Sequence, residues 1–139
     1  MTESEIREFL SSFAGSTEDT PFGPQAYVYK LEGKMFCTFG WDEDPLTLTV
    51  KVPPEIGEIL REQYPSISEG YYMNKRHWIT IALDGQISYD LVKERVAASY
   101  ELIMKSLPRK VQATYKPAFP KKLCDLERFA FNWFRIRQL

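Results

Sequence analysis

The chain has 139 residues, 44% apolar and 14% aromatic, which is enough to build one packed domain and too apolar for a disordered segment. Its formal net charge is −1, but residues 1–69 carry 5 Lys/Arg against 13 Asp/Glu, and residues 70–139 carry 13 against 6. A near-neutral total therefore does not exclude a binder of polyanions, whereas a single histidine, His77, excludes a histidine-rich metal centre and any scheme needing two imidazoles.

In chain order, residues 2–14 predict a helix, with Ile6, Phe9, Leu10 and Phe13 on one face, Thr2 and Glu5 as a capping box and Gly15 as the stop. Residues 15–25 are rich in glycine, proline and polar side chains and read as a loop. Three strands follow. Tyr27, Tyr29 and Leu31 alternate with Val28 and Lys30, and Glu32-Gly33 turns the chain into residues 34–41. There Met35, Cys37, Phe39 and Trp41 are expected on one face and Phe36 and Thr38 on the other. Residues 42–45 make a turn, after which Leu46, Leu48 and Val50 alternate with Thr47, Thr49 and Lys51.

Pro53-Pro54 opens a second helix with Ile56, Ile59, Leu60 and Gln63/Tyr64 as its expected buried stripe and Glu55, Glu58, Arg61 and Glu62 outward. Residues 65–70 read as a loop, and residues 78–83 as a strand with Ile79, Ile81 and Leu83 on one side. After the Asp84-Gly85 turn, Ser88 caps a long helix to about Leu107, with Val92, Val96, Tyr100, Ile103 and Leu107 facing the core. Pro108, Pro117 and Pro120 punctuate a basic connector. A final helix is expected over 121–138, with Leu123, Leu126, Ala130 and Trp133 on one side and Phe129 and Ile136 beside them. This order predicts a two-layer α+β domain, an antiparallel sheet with helices on one face, over residues 1–108. The basic connector and an amphipathic helix occupy 109–139.

Chemistry concentrates in Tyr71-Tyr72-Met73-Asn74-Lys75-Arg76-His77-Trp78. Lys75 and Arg76 suit phosphate, Asn74 suits a base edge or a backbone cap, and Tyr71, Tyr72 and Trp78 suit stacking. The same residues also fit a plain structural role: Trp78 in the core, Asn74 holding a turn, the cations solvated. His77 falls in phase with Ile79 and Ile81, which predicts a partly buried imidazole. A second basic stretch, Arg109-Lys110, Lys116, Lys121, Lys122, Arg128, Arg135 and Arg137, suits either a phosphate track or the wet side of a terminal helix whose aromatic side makes a dimer contact. Asp42-Glu43-Asp44 reads as a solvated turn, and the row Glu3, Glu5, Glu8 as the polar side of the first helix. Cys37 and Cys124 form no C-x-x-C pair, and the chain has no phosphate-binding loop, dinucleotide fingerprint or nucleophile elbow. The acidic start Thr2-Glu3-Ser4-Glu5 lacks the basic and apolar regions of a secretory signal, so a cytoplasmic location without membrane association is expected.

Several segments together resemble the MmcQ/YjbR family. These are Pro21-Phe22-Gly23-Pro24, Gly33-Lys34-Met35-Phe36, residues 60–65 (LREQYP), residues 70–78 (GYYMNKRHW), Leu83-Asp84-Gly85 and Ser99-Tyr100-Glu101-Leu102. The resemblance spans about residues 3–108, and its most specific piece is Asn74-Lys75-Arg76-His77-Trp78. It implies a CyaY-like, double-wing α+β fold and a DNA-binding role. The contacts it carries over are Asn74, Lys75, Arg76, His77 and Trp78, with Gly33-Lys34 in the hairpin as a second group. The family's pattern often has a histidine where Tyr72 stands, so a histidine-dependent role there is lost. Frataxin-type relatives of the fold bind iron through acidic surfaces, for which Glu3, Glu5 and Glu8 are the counterpart to check.

The expectation is a small non-enzymatic protein that binds double-stranded DNA through a local basic and aromatic patch. Its contacts would be mostly to phosphate, from Lys34, Lys75, Arg76, Lys121 and Lys122, and it would need no cofactor or metal. The alternative is a protein-interaction module, a monomer or weak homodimer that uses the aromatic C-terminal helix.

Overall fold

The computed structural model describes residues 2–21, 23, 26–42, 44–70 and 74–115. Thr2 opens helix α1 (Glu3–Ser11), where its Oγ1 accepts the Glu5 amide at 3.2 Å and satisfies one of the helix's unpaired N–H groups. Ile6, Leu10 and the following Phe13 are buried, as their spacing predicts. The chain then enters strand β1 (Ser16–Asp19), β2 (Ala26–Leu31), β3 (Lys34–Gly40) and β4 (Thr47–Lys51), crosses helix α2 (Pro54–Gln63), and returns through β5 (Ile67–Glu69) and β6 (Trp78–Ala82). Helices α3 (Tyr89–Lys105) and α4 (Arg109–Tyr115) follow.

The six strands form one sheet in the order β1-β2-β3-β4-β6-β5, antiparallel throughout. Between β2 and β3, Leu31 faces Lys34 across a two-residue turn in which Glu32 (φ 52°) and Gly33 (φ 77°) both take left-handed backbone. Such a turn matches the twist of the strands it joins, and glycine takes the second position without steric cost.

Helices α1, α2 and α3 pack on one side of the sheet. Val92, Val96, Tyr100, Ile103 and Leu107 of α3 and its C-terminal end are all buried. Phe13, Phe36 and Tyr100 form an aromatic cluster with ring centroids 4.8–5.8 Å apart. Ser99 ties α3 to two strands at once: its Oγ donates to the Phe36 carbonyl at 2.5 Å and accepts the Lys51 amide at 2.9 Å. The Tyr100 hydroxyl donates to the Ala14 carbonyl at 2.5 Å, and burial pushes its pKa up to about 12. The Cys37 thiol is fully buried, which raises its pKa and keeps it protonated. At the sheet's β1 edge, Arg7 of α1 donates to Glu18 at 2.8 and 3.3 Å and covers the Tyr27 ring at 4.4 Å, while the Tyr29 hydroxyl donates to Glu18 at 2.5 Å.

This is the α+β architecture expected from the sequence, with five local differences. Residues 16–19 and 67–69, read as loops, are the two edge strands; they are too short and too polar to alternate visibly, and pairing with β2 and β6 defines them. Residues 109–115, read as connector, form α4, which places Val111 and Tyr115 against the core. The β2–β3 register shifts between Tyr29 and Lys30, so Phe36 of β3 is an extra residue in a β-bulge. Phe36 therefore joins Cys37 and Phe39 on the helix side, and Met35 moves to the other face opposite Lys30. In α2 Leu60 is buried and Ile56 and Tyr64 pack against the core as expected, but Ile59 is 49% exposed and the buried place beside Leu60 is taken by Gly57, where a Cβ would meet Val52 at 3.0 Å. The helix expected over 121–138 lies outside the described residues, and none of the described helices is long and apolar enough to cross a membrane.

Candidate nucleic-acid interface

Residues 74–77 fold into a tight turn that feeds β6, whereas Tyr71, Tyr72 and Met73 of the same stretch lie outside the described residues. Asn74 shapes it: its side-chain oxygen accepts the Arg76 amide at 3.0 Å, and its carbonyl accepts the His77 amide at 3.1 Å. Both flanks are anchored, since the His77 carbonyl accepts the Val52 amide and the Trp78 carbonyl accepts the Gly70 amide, each at 2.9 Å. Gly70 is required there, because a Cβ would sit 2.5 Å from Trp78 Cβ and 3.0 Å from its carbonyl oxygen. Asn74 thus takes the backbone-capping option, and its acceptor oxygen is committed to the turn.

Lys75, Arg76 and His77 project into solvent. This corrects the expectation of a partly buried His77: β6 begins one residue later, at Trp78, so strand alternation does not extend to the imidazole. Lys75 Nζ lies 4.0 Å from the Glu69 carboxylate with both side chains more than half exposed, a pair too loose and too wet to neutralise the cation. Trp78 is half-buried and stands directly across from Lys51 on the sheet face away from the helices.

The antiparallel registers bring further cations to the same place. Lys34 begins β3, Lys51 ends β4 and Trp78 begins β6, so all three lie at one end of the strands, with Lys30 one pair inward. Lys34 Nζ donates to Ser106 Oγ at 3.2 Å, which brings the C-terminal end of α3, with exposed Lys105 and the following Arg109, to that end as well. The sequence reading missed Lys30 and Lys51; their only signal was a lysine at a strand end in an otherwise apolar-threonine alternation. Carboxylates intrude at three points: Glu69, Glu32, which accepts the Tyr115 hydroxyl, and Glu55 in the first turn of α2. Asp19, Asp42, Asp44 and Asp84 sit at the opposite end of the strands. Lys121 and Lys122 lie outside the described residues.

Two neighbouring charged groups on α3 are sequestered, Glu94 at 5% exposed, its carboxyl pKa raised by burial, and Arg95. Arg95, one turn before Ser99 on α3, is 1% exposed; burial lowers its pKa to about 10, partly opposed by Glu94, so it remains cationic at neutral pH. Among the described residues no three His, Cys, Asp or Glu side chains group to hold a metal ion, and Glu3, Glu5 and Glu8 do not form such a group.

Comparison with known proteins places this architecture. The chain matches the YjbR family over residues 11–102. It is 32% identical over 97 residues to the Escherichia coli O157:H7 protein YbdF, covering 70% of this chain and 80% of that one. It is 29% identical over 108 residues to YjbR of Escherichia coli K12, covering 78% and 92%. Both relatives are described as uncharacterized proteins. Among solved structures, the Deinococcus radiodurans protein DR2400 superposes with a TM-score of 0.77 at 34% identity, over 81% of this chain and 86% of that one. A Pseudomonas syringae protein shares the fold with a TM-score of 0.64 at 24% identity, over 73% and 98%. A sheet of this order, flanked by these helices and carrying these segments in sequence, makes the chain a member of the YjbR family.

Proposed function

We propose that this protein binds double-stranded DNA, without catalysing a reaction, through the basic end of its sheet. The observation that carries the reading is a juxtaposition. Lys34, Lys51 and the Lys75-Arg76 turn come from three separate segments and lie at one end of the strands, Lys34 on the helix side beside Ser106 and Lys51 on the other face beside the half-exposed Trp78. Exposed, loosely paired cations of this kind suit phosphate oxygens, and Asn74, spent on its turn, leaves little to read base edges. Affinity is therefore electrostatic, modest and weakly sequence-dependent, and the intruding Glu32, Glu55 and Glu69 limit it further.

The test is an anisotropy titration of labelled duplex DNA at several salt concentrations. Binding should weaken linearly on a log–log plot, with a slope of about −0.9 per neutralised phosphate. The triple variant Lys34→Glu/Lys75→Glu/Arg76→Glu should lose about one unit of that slope per cation that contacts phosphate. Absence of binding at low salt, or an unchanged triple variant, overturns the reading.

A further inference from the structure

Trp78 opens β6 on the sheet face away from the helices, so the core that takes in its strand neighbours Ile79 and Ile81 does not take in the indole. Neither cross-strand neighbour gives it an apolar partner. Lys51 stands opposite on β4, and on the β5 side the Gly70 amide donates to the Trp78 carbonyl at 2.9 Å, so that position adds no side chain. Other rings of the molecule lie against one another: Tyr27 is 6.3 Å from both Phe39 and Trp41, and Phe13 is 4.8 Å from Tyr100. Among the described residues no ring and no cation lies against Trp78, and its N–H has no partner. Lys75 and Arg76 precede it directly, and Lys30, opposite Met35, lies on the same sheet face two strands beyond Lys51.

We propose that Trp78 is a stacking platform for one unpaired base, so that the preferred partner is DNA in which a duplex meets a single strand. The inference rests on the DNA reading above and narrows it. Inside a continuous duplex the faces of each base are covered by its neighbours in the stack, and an indole outside the helix has no base face to reach. At an overhang the face is free. Stacking of a base on an aromatic side chain is tolerant of sequence, because every base has a π-face. The surroundings of the ring agree with this. Lys51, Lys75 and Arg76 stand beside it, where cations suit the phosphates flanking a stacked base. Asn74 spends its acceptor oxygen on the turn, so hydrogen-bond reading of the base plays no part. The indole supplies what those cations lack, a preference for one form of DNA over another of equal charge.

The test is an anisotropy titration of the full-length chain with three labelled DNAs matched in phosphate count: a blunt duplex, a duplex with a short thymidine overhang, and the same overhang built from abasic sugars. The thymidine overhang should bind about tenfold tighter than the blunt duplex, and the abasic overhang no tighter than the blunt one. In Trp78→Leu the thymidine overhang and the blunt duplex should bind equally. Equal binding of those two DNAs by the unmodified chain overturns the platform and leaves the DNA reading standing. So does a preference that survives in the abasic overhang, which would trace it to the flexible backbone, or in Trp78→Leu, which would trace it to another aromatic. Failure to bind any of the three DNAs overturns both. Should Trp78→Leu fail to fold, Trp78→Phe decides: its smaller ring should leave a reduced preference, and an unchanged one overturns the proposal.

Discussion

The two ends of the sheet use charge in opposite ways. At one end the carboxylates are occupied: Asp84 accepts the Ser66 hydroxyl at 2.6 Å and the Gln86 amide at 3.0 Å, and Asp19 accepts the Thr20 amide at 2.8 Å. Those hydrogen bonds hold the Asp84 carboxyl below its ordinary pKa, the Ser66 hydroxyl being the main cause. At the other end the cations hold almost nothing together. Lys75 has a 4.0 Å contact, Lys34 a single bond to a serine hydroxyl, and Arg76 is exposed beyond a turn that Asn74, not Arg76, makes. Side chains that close turns are structural, whereas cations held near one another without structural duty remain available to a partner. The contrast also explains why net charge was uninformative. The acidic first half of the chain contributes Lys30, Lys34 and Lys51 to the basic end, so the charge sorts by strand end and not by position in the sequence.

The comparison can be broken most directly by moving charge. Reversing Lys34, Lys75 and Arg76 together should weaken duplex binding by about a hundredfold at low salt, about 2.7 kcal/mol. Asp42→Asn/Asp44→Asn should change it by less than about threefold, since those groups lie a strand length away and largely beyond the Debye length. Equal effects at both ends would mean that total charge governs binding and would dissolve the distinction. Gly70→Ala tests the scaffold of the basic end. The new methyl meets Trp78 backbone and Cβ, and overpacking of this kind costs about 1–3 kcal/mol, to be read as a lowered denaturation midpoint. Asp84→Ala tests the acidic end and should lower the denaturation midpoint by less than Gly70→Ala, with DNA affinity unchanged. The smallest effect concerns Glu18. The hydrogen bond from Arg7 holds its carboxyl below the ordinary value, so the ion pair stabilises above the unfolded-state pKa near 4.5 and is lost as pH falls through the folded value. Glu18→Gln should therefore cost about 0.5–1 kcal/mol at pH 7 and flatten the acid limb of a stability–pH curve.

Most of the fold was legible because periodicity is strongest where burial is strongest. The α3 stripe, the Glu32-Gly33 hairpin and the Ser88 cap could all be read from side-chain chemistry alone. What was not legible depended on a partner strand. Ser16–Asp19 and Ile67–Glu69 are strands only because β2 and β6 lie beside them, and the bulge at Phe36 is a mismatch between two strands, invisible in either one. The candidate site divides in the same way. The Asn74–Trp78 run stood out by composition, but Lys30 and Lys51 join it through register, and the exposure of His77 followed from where the strand starts.

The two outermost strands have one more consequence. β1 is the four residues Ser-Thr-Glu-Asp and β5 the three residues Ile-Ser-Glu. Among the described residues each presents an outer edge only a few hydrogen bonds long and carries a carboxylate along it, so an incoming strand meets little to pair with and an unfavourable charge. Two short, charged edges of this kind work against growth of the sheet from molecule to molecule.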